Sequence, residues 1–184
     1  MSAPLLTPHE HQPVYRVVRK HWSDPLDVSH SQTRGDNRWN TAAFPALYCC
    51  CSPRVASAVV LDVFRLAGIE LADLKPEARP ELIEVSWAGD VVDVASPEGV
   101  LAAGFPIEYP ERVSREQTRR AAFDWHRQRL QGVLCRSASL CHLGFTSWEG
   151  KHQPWGELAI FTQNSPAHPR LVKRRDDLGW LSMP

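Results

Sequence analysis

An excess of charge of either sign is missing from this chain: Lys plus Arg and Asp plus Glu each number 21, and the pI is near 7.1. That balance leaves no electrostatic footprint for nucleic acid or for an anionic membrane surface, while a small polar ligand stays open. Long hydrophobic runs are missing too. Nothing approaches the roughly 20 apolar residues that span a bilayer, and the N-terminal MSAPLLTPHEHQP has neither the basic nor the apolar region of a signal peptide. The expected location is therefore soluble and cytoplasmic. Paired cysteines are also lacking. Cys49, Cys50, Cys51, Cys135 and Cys141 are odd in number and three are consecutive, a poor basis for a disulfide framework, so they are read as reduced, small buried hydrophobes. There is no Cys-x-x-Cys and no His-x-x-x-His around Cys135, Cys141, His142 and His152, so no metal is expected. Glycine-rich phosphate loops, a Gly-x-Ser-x-Gly elbow and internal repeats are absent as well.

What is present fits one domain over residues 1–184, since 184 residues at 43% hydrophobic can bury a sizeable core. PVYRVVRK (13–20) has strand composition and precedes a polar stretch from Trp22 to Asn40, long enough to suggest a functional loop. ALYCCCS reads as a short buried strand. Ser52 and Pro53 then supply an N-cap and an N1 proline for a helix closed by Gly68. ELIEVSW (81–87) and DVVDVAS (90–96) flank Ala88 and Gly89 and are expected to be adjacent strands. Ser114 with Gln117 opens a helix that is expected to run to Gly132. GVLCRS and ELAIFTQ read as two further strands with a Trp-rich loop between them. The mixture lacks the regular alternation of a parallel α/β sheet, so the expected class is α+β.

Several residues are candidates for chemistry. At about 100° per residue, Asp62 falls on the border of the buried side of its helix, where a carboxylate needs a partner or a ligand. The plain alternative is a boundary Asp paired with Arg65. Arg38 carries the planar fork of donors that suits phosphate or pyrophosphate, and Trp39 beside it either stacks on a base or plugs the core. Tyr48 leads a strand of small apolar residues, as a core ring or as one that meets a flat ligand. Ser137 follows a strand, where it binds a phosphate or ribose oxygen or simply caps a turn. Lys173 to Asp176 form a short basic run, read as a solvated edge or part of a partner surface.

VYRVVRK, NRWN, PALYCCC, the acid-bearing helix and GVLCRSAS occur in the order and approximate spacing of the RES domain family, which this chain resembles over roughly residues 14–161, with extensions at both ends. By that resemblance the family arginine is Arg38, its tyrosine Tyr48 and its serine Ser137. The family glutamate is replaced by Asp62, or by Val59 if the alignment shifts by three residues. Arg16 resembles a further family arginine that lines the same pocket. The resemblance implies an ADP-ribosyltransferase-like split mixed β-sheet with flanking helices, and NAD+ as the substrate. It also implies cleavage of the nicotinamide–ribose bond by hydrolysis or phosphorolysis, and a toxin paired with an Xre-type antitoxin or acting as an antibacterial effector. In that reading Arg38 and Arg16 hold the pyrophosphate, Tyr48 stacks on the nicotinamide or fixes its ribose, Trp39 is a further NAD+-binding residue, Ser137 binds a phosphate or ribose oxygen and Asp62 stabilises the oxocarbenium-like ribose. A protein ADP-ribosyltransferase and a non-catalytic nucleotide- or partner-binding domain are the alternatives. Homo-oligomerisation is left open.

Overall fold

The structure, a computed structural model, describes residues 3–10, 12–20, 22–33, 37–144, 155–175 and 177–181, and every structural statement concerns these. Eight strands form one sheet: β1 (Leu6–His9), β2 (Val14–Arg19), β3 (Leu47–Cys50), β4 (Pro80–Ser86), β5 (Gly89–Val94), β6 (Gly132–Arg136), β7 (Gly156–Ile160) and β8 (Arg170–Arg175). Their order is β1-β5-β6-β7-β3-β2-β4-β8. Only β5 and β6 pair in parallel, so the sheet is mixed and the class is α+β. The helices are α1 (Ser29–Thr33), α2 (Pro53–Ala67), α3 (Pro97–Ala102), α4 (Arg115–Arg127) and α5 (Ala138–His142), with two short 3-10 turns before β4. Among the described residues, no helix is long and apolar enough to cross a membrane.

The expectation that β4 and β5 are adjacent is overturned: β4 pairs with β2 and β8, whereas β5 pairs with β1 and β6. Their places in the sheet explain how it is shaped. Five strand intervals at about 4.8 Å would separate them by about 24 Å in a flat sheet, yet the chain from Ser86 to Gly89 spans at most about 11 Å. The sheet must therefore curl so that its two halves approach one another. The interior of the curl is an apolar cluster drawn from both halves, including Val14, Leu47, Ile83, Trp87, Val91, Leu134 and Ile160.

The opposite face is covered by helices. α2 forms as its sequence requires: Ser52 Oγ accepts from the Val55 amide, Pro53 sits at N1, and Gly68 adopts a left-handed conformation (φ 64°) that closes the helix. It buries Val55, Ala56, Ala58 and Val60 against Cys50, Leu82 and Leu140. α4 carries the expected capping box, but it ends at Arg127 with Gln128 as its cap, short of Gly132. Arg129 takes the left-handed position (φ 65°) and the Leu130 amide returns to the Trp125 carbonyl, which finishes the helix early. Gly132 serves instead as the close-approach point of β6 and β7, where a Cβ would lie 2.5 Å from the Ala159 carbonyl oxygen. The segments outside residues 14–161 are built into the fold: β1 and β8 are its two edge strands, and Trp180 is buried beside α2. The basic run largely lies on β8, an exposed edge where Arg174 pairs with Glu81. The Trp-rich loop lies mostly outside the described residues.

Candidate active site

The Arg-Trp-Asn stretch and Tyr48 are joined by the tyrosine hydroxyl. It accepts a hydrogen bond from the Trp39 amide (2.9 Å) and donates one to Asn40 Oδ1 (2.8 Å). Asn40 is buried and its amide nitrogen reaches the Ser31 carbonyl, so β3, α1 and the loop before β3 are tied at one point. This fixes the backbone of Arg38 above the sheet. Burial pushes the Tyr48 hydroxyl far above its ordinary value, so it stays protonated as the donor to Asn40. Trp39 is 2% exposed, stacks on Trp125, touches Phe105 and Tyr109, and donates Nε1–H to Cys135 Sγ at 3.1 Å. Its ring is thus part of the core, and the core reading of this residue is the one realised.

Asp62 lies on the buried side of α2, 4% exposed. Burial alone would raise its pKa, but hydrogen bonds from His142, Arg65 and Ser139 outweigh that and hold it below the ordinary value of 3.8. Its Oδ1 meets Arg65 Nη2 and its Oδ2 meets His142 Nδ1, both at 2.9 Å. The pairing with Arg65 foreseen as the plain alternative is present. The histidine was not foreseen, because α5 brings it from 80 residues away.

Ser137 is fully buried, caps α5 by accepting from the Leu140 amide, and hydrogen-bonds to the Glu157 carboxyl. Glu157 was read only as the start of a strand, and it is the residue on which the others converge. It stands on β7 opposite Cys50 of β3 and Cys135 of β6, on the face that carries Tyr48. Burial raises its pKa, while the Ser137 hydrogen bond and the Arg38 charge counteract that and the Asp62 charge adds to it. Arg38 completes the group from the loop. Its Nη1 is buried without a hydrogen-bond partner, and its charge offsets a small part of the rise that burial imposes on the pKa of Tyr109, Cys135 and Cys141. From α4, the charge of Arg119 acts on Tyr48, and its Nε is likewise buried without a partner. Arg38, whose charge reaches Glu157, and Arg119, whose charge reaches Tyr48, each have a buried nitrogen without a partner and can take an anion.

Arg16 is not part of this group. Tyr15 pairs with Cys50, so its neighbour Arg16 projects to the opposite face with Val14 and Val18. There it donates to the Asp27 carbonyl (3.1 Å) and lies over the Trp22 ring. The expectation that it lines the same pocket is corrected by this alternation. A cavity of about 570 Å³ is lined by Val17, Trp22, His30, Val63 and Phe64, among others; it includes Val59, the position of the shifted alignment, but not Arg38, Tyr48, Asp62 or Ser137. Its walls are mainly apolar and carry no carboxylate.

All five cysteines are free. Burial pushes the thiols of Cys49 and Cys135 up to about 12 and that of Cys141 up to about 11, which makes them poor nucleophiles at neutral pH.

No curated protein matches the chain. Among solved structures, a chain of the M. tuberculosis MbcT–MbcA toxin–antitoxin complex is similar at 20% identity and a TM-score of 0.70, covering 90% of this chain and 83% of that one. The RES domain model matches residues 13–180, taking in both the edge strand β8 and every member of the cluster built above, so this chain belongs to the RES domain family.

Proposed function

We propose that this protein cleaves NAD+ at the bond between nicotinamide and ribose, as the toxin of a toxin–antitoxin pair. The observation that supports this most is the carboxylate pair. Asp62 is held anionic by Arg65, His142 and Ser139, while Glu157 beside it is driven toward its protonated form. Neighbouring acids whose environments push their pKa values apart suit a reaction that needs one fixed charge and one proton carrier. Breaking the glycosidic bond leaves positive charge on the ribose, and the Asp62 anion would stabilise it without changing protonation state. Arg38, with Arg119 in the place expected of Arg16, would hold the pyrophosphate through the guanidinium nitrogens that have no protein partner. Tyr48 would act through Arg38, by fixing the loop that carries it. Ser137 would act through Glu157.

The toxin role rests on membership of the family and on likeness to a chain from a toxin–antitoxin complex. An antitoxin, of Xre type by the family resemblance, would be the partner, and the cytoplasm, where NAD+ is available, the place of action. The test is expression of this chain alone. Growth arrest with a fall in cellular NAD+, absent for a folded Arg38→Ala variant, supports the reading; harmless expression of folded protein overturns it.

A further inference from the structure

Glu157 is an uncommon choice for a central strand. Its neighbours in the sheet are Cys50 and Cys135, and the rest of β7 is Gly156, Leu158, Ala159 and Ile160. A carboxylate in such surroundings costs several kcal/mol unless it is paired. Among the described residues no Lys or Arg forms an ion pair with it, although four other carboxylates, Asp62, Glu81, Glu84 and Glu108, pair with an arginine. Its hydrogen bond comes from Ser137, whose hydroxyl also accepts from the Leu140 amide and so is locked in one orientation. A carboxylate aimed by a fixed hydroxyl, next to a second carboxylate and an arginine with a free donor, has the arrangement of a base with its orienting partner.

We propose that Glu157 is the general base that takes the proton from an attacking water, so that water, and not inorganic phosphate, accepts the ADP-ribosyl group. This rests on the NAD+-cleaving reading above. In the step, the water oxygen bonds to C1′ of the nicotinamide ribose as the C1′–N bond breaks. Its electron pair goes to the pyridinium nitrogen, which leaves as neutral nicotinamide. The water proton passes to Glu157 and then to solvent, giving ADP-ribose. Asp62 and ionised Glu157 would both repel a phosphate dianion, whereas neutral water meets no such barrier. Arg38, the nearby cation, is already engaged by the substrate's own pyrophosphate.

The groups that face Glu157 set its titration. They are Arg38 from the loop before β3, Asp62 from α2, Tyr48 and Cys50 from β3, and Cys51 just after it. Cys135 from β6, Cys141 from α5 and Tyr109 from the segment before α4 complete them. The thiols and phenols are neutral at working pH, so only Arg38 and Asp62 contribute charge. A base acts when ionised, and turnover should therefore fall as pH drops through the elevated pKa of Glu157.

The experiment follows nicotinamide, ADP-ribose and phosphorylated ADP-ribose by chromatography for the wild-type protein and for Glu157→Gln, with and without excess inorganic phosphate, across pH. The wild type should give ADP-ribose in both buffers and lose activity on the acid side. Glu157→Gln, folded by circular dichroism, should lose roughly 100-fold or more and lack that acid-side dependence, whereas a purely structural role would leave the profile intact. Wild-type product that is mainly the phosphate adduct overturns the assignment, as does a folded Gln variant of equal activity. If that variant does not fold, the wild-type products and pH profile decide alone. Wild-type protein that leaves NAD+ intact instead overturns the underlying reading, and the assignment with it.

Discussion

Tyr48→Phe isolates a single hydroxyl, because the ring and its packing are retained. In the native protein that hydroxyl satisfies the Trp39 amide at 2.9 Å and Asn40 Oδ1 at 2.8 Å. Trp39 and Asn40 are only 2% and 1% exposed, so water replaces neither bond easily. An unsatisfied buried polar group costs about 1–3 kcal/mol, and two of them should lower stability by about 2–4 kcal/mol after some local relaxation. For a chain of this size each kcal/mol lowers Tm by about 2–4 °C, so the midpoint should fall by roughly 4–16 °C. Burial keeps the Tyr48 hydroxyl protonated, so the deficit should be the same at pH 6 and pH 8. Chemical and thermal denaturation measure it. A loss below about 1 kcal/mol would mean that the hydroxyl does not tie the Arg-Trp-Asn loop to β3, and would remove the account of how Arg38 is held.

The two carboxylates should respond to pH with opposite signs. Asp62 is depressed, so its contribution is present above its ordinary value of 3.8 and is lost as pH falls through its folded value; Asp62→Asn should destabilise at neutral pH, with the gap closing in acid. Glu157 is raised, so its ionisation costs stability as pH rises above 4.5; Glu157→Gln should raise Tm at neutral pH and make little difference below 4.5. Alkylation at neutral pH should be slow on native protein, with about one Cys141 thiol in ten thousand ionised at pH 7, and should reach all five cysteines on unfolding; fast native labelling of Cys49 or Cys135, followed by mass spectrometry, would contradict their burial. Arg119→Ala should raise KM for NAD+ by about tenfold or more with a smaller effect on kcat, as expected for lost pyrophosphate binding.

What the sequence made legible was local. Ser52, Pro53 and Gly68 marked both ends of α2, and Ser114 with Gln117 marked the start of α4, because caps are chosen by residues within one turn. The position of Asp62 at the buried edge followed from helical periodicity. Pairing was not legible. Ala88 and Gly89 look like a hairpin connection, but the choice of strand partners is made by contacts across the curl, which no local pattern encodes. Arg16 went to the wrong face for a related reason: alternation shows that Tyr15 and Arg16 point apart, but only the register with Cys50 shows which side holds the site. Glu157 and His142 were missed because each is one unremarkable polar residue in its own segment. An early signal for Glu157 was a single carboxylate leading an otherwise apolar run, GELAIF, where a strand meant for a sheet centre has no structural use for it.

The central claim is that the cluster of Arg38, Asp62, Ser137 and Glu157 cleaves NAD+. The most direct measurement is incubation of the purified protein with NAD+, with nicotinamide followed by chromatography beside a folded Asp62→Ala control. Release of nicotinamide by the wild type and its loss in the control is the predicted result. A folded wild-type protein that releases no nicotinamide, or a control that releases it as fast, would contradict the account.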